Sequence, residues 1–575
     1  MNIRRHIITL SFNCIICGQL FAGIIVTSEK NKPLDIQTNI DKAIKTINDK
    51  IKKLKVENTE VIINSTDHLL QESVKPYGFY HASITHTIKA ENNNTIISFK
   101  VNLGEPMKIK SFSLNIFGEG KDKPYFNTLI QTKNLAKGKT LNTEYYKDLK
   151  DQLYQVASNN GYFDAKITHS NININLKNNT ADITIVFNSN KQYKIGKTSY
   201  SKTYYDPSFV KKFITYKAGE TYNIKKLNSS QKNFVSTPYF TQAIIVPVTK
   251  DRKNGKVPIK ITLMQKMKKR YSIGLGYDNK TNFHLLATFE NNRMNAFGQQ
   301  LSSSFQFSKS EKNLTLNYKI PSSTPEKSYY TISGGASRLD LQNGNSKAAK
   351  IKISKTINNK SISSIYAINF LKERYNLSNL PKTTANLIFP SASWRIRKMK
   401  TVNQINNSGY ASSLTLAGAP NELAKKDGFM QAIAKTNLLY TLPNQKTRLL
   451  IRGTLAKTEI KNILNLPLSM QLYAGGSGSI RGYNYHSLPA STPGRNLYTA
   501  SIEAQQQVYN QVYLTGFFDI GNVTNNKNIF KNSKSGAGAG IAIVTSLGTF
   551  EVTAAKPLTE PHHKWVFQFS MEPTL

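Results

Sequence analysis

From about Tyr271 to the C-terminus the sequence alternates apolar and polar residues with a period of two. Tyr271, Ile273, Leu275 and Tyr277 alternate with Ser272, Gly274 and Gly276, and Leu314, Leu316, Tyr318 and Ile320 with Thr315, Asn317 and Lys319. The pattern returns in Tyr366–Phe370, Leu438–Leu442 and Trp565–Phe569. A period of two puts successive side chains on opposite faces of a strand. Segments of about ten such residues, sustained over 300, are the mark of a transmembrane β-barrel. Tyr and Phe often end the segments, where an amphipathic ring suits the headgroup level. The run Gly536 to Gly540 fits a strand that bends sharply or admits a close neighbour. From 268 to the end there are 308 residues. At about 19 residues per strand with its share of connections, that predicts about sixteen antiparallel strands. A soluble β-propeller would need a repeat of about 40 residues, and none is visible. A helical bundle is excluded, since beyond the N-terminus no run approaches the roughly 18 apolar residues of a spanning helix.

The N-terminus predicts export. Arg4 and Arg5 precede an apolar stretch from Ile7 to Ala22, the pattern of a secretory signal peptide over 1–28, with cleavage between 22 and 28. Cys14 and Cys17 both lie inside it, so the mature chain has no cysteine and no disulfide scaffold.

Between the leader and the barrel one pattern occurs three times. In the middle copy Asn142 is a helix N-cap, Tyr146, Leu149, Leu153, Val156 and Ala157 form one stripe, and Gly161 ends the helix. Tyr162-Phe163-Asp164-Ala165 then opens a strand, and Ala181–Phe187 alternates as its hairpin partner. Gly78 in the first copy lies 83 residues before Gly161, and Pro238 takes the corresponding place in the third, 77 residues on. Leu141-Asn142 and Tyr222-Asn223 keep a step of 81. A period near 80 is too long for a solenoid and fits a small α/β module, two helices on a short mixed sheet. A free sheet edge in such a module can take an extended client by β-augmentation. The expected boundaries are 30–104, 105–190 and 191–265, followed by the barrel over 268–575.

The charge is extreme, with 77 Lys+Arg against 34 Asp+Glu and a formal net charge of +43. The excess of Lys, Asn and Ile is what A/T-rich codons produce, and the basic residues are dispersed. The export signal removes nucleic acid from consideration, while a basic rim at the outer leaflet remains able to attract lipid phosphates. No phosphate loop, metal cluster or nucleophile constellation appears, so no catalytic residue, cofactor or metal site is expected; the His562-His563 pair reads as a solvated turn.

Three modules of helix, glycine, aromatic pair and hairpin resemble POTRA domains, the periplasmic repeats of outer-membrane assembly proteins. One segment narrows the resemblance. Leu472-Tyr473-Ala474-Gly475-Gly476-Ser477-Gly478-Ser479-Ile480-Arg481-Gly482-Tyr483 is similar to the signature loop of the BamA/TamA/two-partner-secretion superfamily, a Gly-rich approach followed by (V/I)RG(F/Y). The glycines let a long extracellular loop fold back into the lumen, and Arg481 offers a rigid fork of donors to carboxylates. The resemblance implies acidic partners on the barrel wall. Asp519 and Glu503 match, and by alternation Glu503 faces the lumen if Ile502 and Ala504 face lipid.

Within the superfamily the TamA family is the nearest resemblance, from the three modules, the total length, the run through Leu488 and the ending Pro573-Thr574-Leu575. It implies an assembly factor without an active site, not an enzyme. Autotransporters or other outer-membrane clients would pass the modules and enter the membrane at a weakly paired seam. That seam lies between the first barrel strand (Tyr271, Ile273, Leu275) and the last (Phe567, Phe569, Met571). It implies a TamB-like partner, anchored in the inner membrane and docked on the first module. Phospholipid transport with that partner and a two-partner secretion pore are the alternatives. One departure is the last strand, which has Ser570 where a glycine usually permits an inward kink.

Overall fold

The computed structural model describes residues 24–572 apart from 31, 55–57, 92–93, 132, 279–281, 342–343, 378–379, 403–404, 425–426, 490–491, 546–547 and 561–563. The apolar leader through Ala22, the His562-His563 pair and the Pro573–Leu575 ending lie outside the described residues. Two compact units result. One comprises residues up to Thr198 with Lys217–Lys225 and Pro247–Ile259, the other Ser199–Tyr216, Lys226–Val246 and everything from Lys260.

Three small α/β modules precede the barrel. The first has β1 (Ile24–Ser28), α1 (Leu34–Leu54), α2 (Thr59–Val74), β2 (Ser83–Glu91) and β3 (Asn94–Asn102). The second has β4 (Lys108–Phe117), α3 (Pro124–Ile130), α4 (Thr143–Asn159), β5 (Lys166–Asn175) and β6 (Thr180–Asn188). The third has β7 (Lys194–Tyr200), α5 (Pro207–Lys211), α6 (Ile224–Val235), β8 (Phe240–Pro247) and β9 (Lys256–Gln265). Each sheet has its last strand in the middle, in the orders β1-β3-β2, β4-β6-β5 and β7-β9-β8.

The local chemistry of the middle module is that of its sequence. The Asn142 side chain accepts from the Glu144 N–H at 2.8 Å and caps α4, satisfying one orphan donor of the first turn. Leu149, Leu153 and Ala157 are buried on one stripe, and Ala181, Ile183, Ile185 and Phe187 line the inner face of β6. Two details differ from the sequence reading. The segment Tyr162–Ala165 is a turn, and the strand opens at Lys166, because Tyr162 is drawn into the core instead. The first module also starts ahead of residue 30, since Ile24–Ser28 pairs in parallel with Thr95–Phe99 and buries Val26.

The two sequence landmarks with the 80-residue period meet each other in space. Gly78 O accepts from Met107 N at 2.8 Å, and Met107 O from Leu141 N at 2.8 Å. One module on, Gly161 O accepts from Tyr193 N at 2.9 Å, and Tyr193 O from Tyr222 N at 3.0 Å. Gly161 is left-handed at φ +86°, and a Cβ there would stand 2.8 Å from the Tyr222 Cβ. Glycine is therefore required twice over, by backbone conformation and by close approach.

The barrel is one antiparallel sheet of sixteen strands in sequential order. The strands are β10 (Lys269–Asp278), β11 (Asn282–Asn291), β12 (Gln300–Phe307), β13 (Glu311–Pro321), β14 (Ser328–Leu341), β15 (Gly344–Asn359), β16 (Ile362–Leu377) and β17 (Thr383–Val402). They continue with β18 (Ile405–Ala419), β19 (Phe429–Thr441), β20 (Thr447–Ile460), β21 (Asn496–Tyr509), β22 (Val512–Thr524), β23 (Lys534–Val544), β24 (Thr549–Pro557) and β25 (Val566–Glu572). Outward residues such as Ile351, Ile353, Ile368 and Ile502 are exposed and apolar, while Asn369, Glu373, Glu503 and Gln505 on the same strands are buried in the lumen. Among the described residues no helix is long and apolar enough to cross a membrane.

Candidate functional site

The lumen is crossed by the long connection between β20 and β21. Its first part makes two short 3₁₀ turns, Ile463–Asn465 and Leu468–Met470, that bury Ile463, Leu466 and Leu468 against Leu371, Leu387, Phe389 and Phe429 of the wall. Glu373 on β16, fully buried, accepts from the Ser469 N–H at 3.0 Å and from its hydroxyl. Nothing in the sequence flagged this anchor. Glu373 is four residues beyond Asn369 on the polar side of the Tyr366–Phe370 alternation, which gives it a lumenal place without marking it as an anchor.

The second part carries the signature. Ala474 and Leu488 exchange backbone hydrogen bonds at 2.9 and 3.0 Å and close a hairpin. Gly475, Gly476 and Gly482 are all left-handed, with φ +104°, +94° and +93°. Ile480 packs with Leu472, Ala474, Leu497 and Val523. Tyr483 places its hydroxyl 2.6 Å from Thr559 Oγ1.

Arg481 is 2% exposed and meets the wall on every side. Its Nε and Nη2 bind the two Asp519 oxygens at 2.8 and 2.9 Å, a bidentate fork, and its backbone N–H adds a third bond to Asp519 at 2.9 Å. Nη1 donates to Glu503 Oε2 at 2.7 Å and to Glu551 Oε1 at 3.3 Å, and Nη2 donates to Ser501 Oγ at 3.2 Å. The guanidinium carbon stands over the Phe517 ring, 3.3 Å from its centroid. Glu503 is held in turn by Arg452 at 2.9 Å and Gln505 at 2.7 Å. A buried guanidinium is tolerable only with such complete pairing, because desolvating it alone costs several kcal/mol.

The sequence points to Asp519 and Glu503 as partners of Arg481, and the structure adds Glu551, Ser501, Phe517 and, behind Glu503, Arg452. For the first three the signal is the same alternation, applied to Phe550-Glu551-Val552 and to the positions two residues from Glu503 and Asp519; Arg452 comes in only through the pairing of β20 with β21. The glycine run on β23 has its use here as well. A Cβ on Gly536 would stand 2.0 Å from the Arg481 carbonyl oxygen, and one on Gly538 2.7 Å from the Phe517 ring. Close approach is thus one use of this run.

The arginine and its neighbours therefore touch five consecutive strands. Ser501 and Glu503 are on β21, Phe517 and Asp519 on β22, Gly536 on β23 and Glu551 on β24, while Gln568 on β25 reaches the Tyr483 carbonyl at 3.5 Å. β25 is the edge of this stapled panel. It stays in register with β24 from Val566 to Glu572, through Ser570, without interruption.

On the other side of that edge is β10. Its Cα atoms come within 8 Å of those of β25, yet among the described residues no ladder joins the two. Tyr271, Ile273 and Leu275 project outward and are strongly exposed, as is Phe567, while Phe569 is half-buried on the same face. The Met571 side chain lies outside those described. The strands here are short. β25 has 7 residues, β24 9, β10 10 and β12 8, against 14 to 20 for β14 to β18.

A protein-family model described as the Omp85 superfamily domain matches residues 134–573. Among solved structures, BamA from Haemophilus ducreyi lacking POTRA domains 1–3 aligns with a TM-score of 0.66 at 15% identity, covering 81% of this chain and 98% of that one. CdiB from Acinetobacter baumannii aligns with a TM-score of 0.47 at 14% identity, over 94% of this chain and 99% of that one. At these identities the BamA likeness is one of fold.

Proposed function

The chain belongs to the Omp85 superfamily, and on that premise we propose that it is an outer-membrane factor that assembles or secretes other outer-membrane proteins, autotransporters among them. The observation that carries this reading is that, among the described residues, no ladder joins β10 and β25, beside a panel stapled by Arg481. Backbone groups left unpaired in lipid cost several kcal/mol each, so an edge that opens there is a template for an incoming strand. Stapling β21 to β25 from inside keeps that edge flat and in register while its outer neighbour parts from it. Short strands act in the same direction. At about 3.4 Å per residue and a tilt near 40°, seven residues span roughly 18 Å, well under a hydrocarbon core of about 30 Å. The bilayer must thin at the seam, which lowers the barrier to insertion.

The finer reading is a TamA-like protein. Its modules lie in the periplasm, and the first docks a TamB-like partner anchored in the inner membrane. The same seam would serve phospholipid delivered by that partner. The leader is cut after Ala22, since a cut after Ser28 would delete β1 from the first sheet.

A cysteine pair at Ile273 and Phe569 tests the seam. Oxidation should abolish client assembly in cells and reduction should restore it; full assembly by the crosslinked protein removes lateral opening. Deleting the first module should cost co-purification of the partner and leave the barrel folded. Undiminished co-purification places the docking elsewhere.

A further inference from the structure

The barrel's outward face carries a row of cations that only the strand register reveals. Lys312 on β13 faces Arg338 on β14, Arg338 faces Lys347 on β15, and Lys347 faces Arg374 on β16. All four are exposed, and Lys372, one row toward the barrel middle, adds a fifth. At about 4.8 Å between strands the row spans roughly 14 Å. Like charges directly opposite one another on a sheet face are destabilising by themselves. Asp340 offsets one of them, 3.0 Å from the Arg338 Nε. Among the described residues no carboxylate pairs with Lys347, Lys372 or Arg374.

The position of the row is as informative as its charge. The chain enters β10 from the modules, so the β12–β13 turn, next to Lys312, lies at the end of the barrel remote from that entry. Toward the middle the face turns apolar, through Leu314, Ile351 and Phe370, and it closes on Tyr330 and Tyr366, with Lys355 between them in register and Trp394 one row beyond. Arg338 and Tyr330 are eight residues apart on one strand, about 21 Å of height at a tilt near 40°, close to the apolar band of such barrels. The cations thus stand at headgroup level. Beneath Lys372 a depression of about 370 Å³ opens between Ala349, Ile351, Phe370 and Ile388.

We propose that this patch binds the phosphates of a lipid in the leaflet remote from the modules, with an acyl chain in the depression. Five cations over about 14 Å exceed the reach of a single phosphate, so the fitting headgroup is a bisphosphorylated glycolipid. The proposal rests on the outer-membrane reading above.

The test uses the full chain in phosphatidylcholine nanodiscs with and without bisphosphorylated lipid A, scored by native mass spectrometry. The wild type should retain lipid A at least tenfold over phosphatidylcholine. K347Q with R374Q should lower that preference at least fivefold, whereas Arg374→Lys and Lys355→Gln, the latter at the opposite edge of the band, should keep it. Equal retention by the double variant, or no preference in the wild type, overturns the proposal. A protein that enters none of the nanodiscs would instead defeat the membrane reading beneath it.

Discussion

The lumenal loop is fastened at two ends by different chemistry. At β16 the attachment is mostly apolar, Leu466 and Leu468 sunk among Leu371, Leu387 and Phe389, with Glu373 satisfying one turn of backbone. At β21 to β24 it is ionic, one guanidinium among three carboxylates. An apolar seat is non-directional and degrades gradually as groups are removed. A bidentate, desolvated ion cluster is directional and fails as a unit when one member goes. The directional fastening is on the panel that ends at the seam, where register matters. The forgiving one is on the tall wall opposite, where the loop needs only to be held.

Breaking the ionic end should have the largest effect. Arg481→Ala leaves Asp519 and Glu551 buried without their cation, a loss of about 3–5 kcal/mol for the docked loop. Limited proteolysis should then cut near 475–483, and client assembly should fall. Asp519→Asn should do much of the same, and the double variant should be no worse than Arg481→Ala. Normal assembly by both single variants would remove the ion cluster from the mechanism.

The apolar end should yield less. Leu468→Ala, a fully lined site, should cost about 2–3 kcal/mol, exposing 463–470 to protease while 475–483 stays protected. If both segments became accessible together, the two fastenings would be one cooperative unit and the contrast between them would vanish.

The smallest effect belongs outside the barrel. Asp164 is held below the usual carboxylate range by the Tyr193 hydroxyl at 2.7 Å and then by Arg252, partly opposed by burial. A depressed folded pKa contributes stability that is complete above the unfolded value, about 3.9, and is lost as pH falls through the folded one. Amide protection around Gly161 and Tyr193, the exchange rate relative to the intrinsic rate at the same pH, should therefore be constant at neutral pH and fall as the pH drops through that range. Asp164→Asn should remove the dependence; if it persists, another group is responsible.

Much of this was legible in the sequence because it is local. A period of two survives any arrangement of strands, so the sixteen-stranded sheet could be expected from Tyr271 onward. Arg481 announced itself by its motif, and Asp519 and Glu503 by alternation plus resemblance. What could not be read depends on register. Glu551 meets Arg481 only because the three strands β21 to β23 are aligned between them, and Lys312 and Arg374 stand in one row although 62 residues separate them. The first module's start was missed for a similar reason. Ile24–Ser28 looks like the tail of an apolar leader until β3 supplies its partner. The charge of +43 divides in the same way, dispersed basic residues along the chain and a patterned row where the fold assembles them.

The repeated joint has a consequence for how such a chain can change length. Each module hands the next the same two backbone bonds, from Gly78 through Met107 to Leu141 and from Gly161 through Tyr193 to Tyr222. At the third, Tyr239 O takes the bond from Lys266 N at 3.0 Å, next to Pro238 and with no glycine. The glycine joints are interchangeable couplings and the last is a terminal fitting. Duplication or loss of a whole module between Gly78 and Gly161 would leave every coupling intact, so the reach of the arm can evolve in steps of one module without redesign of the barrel.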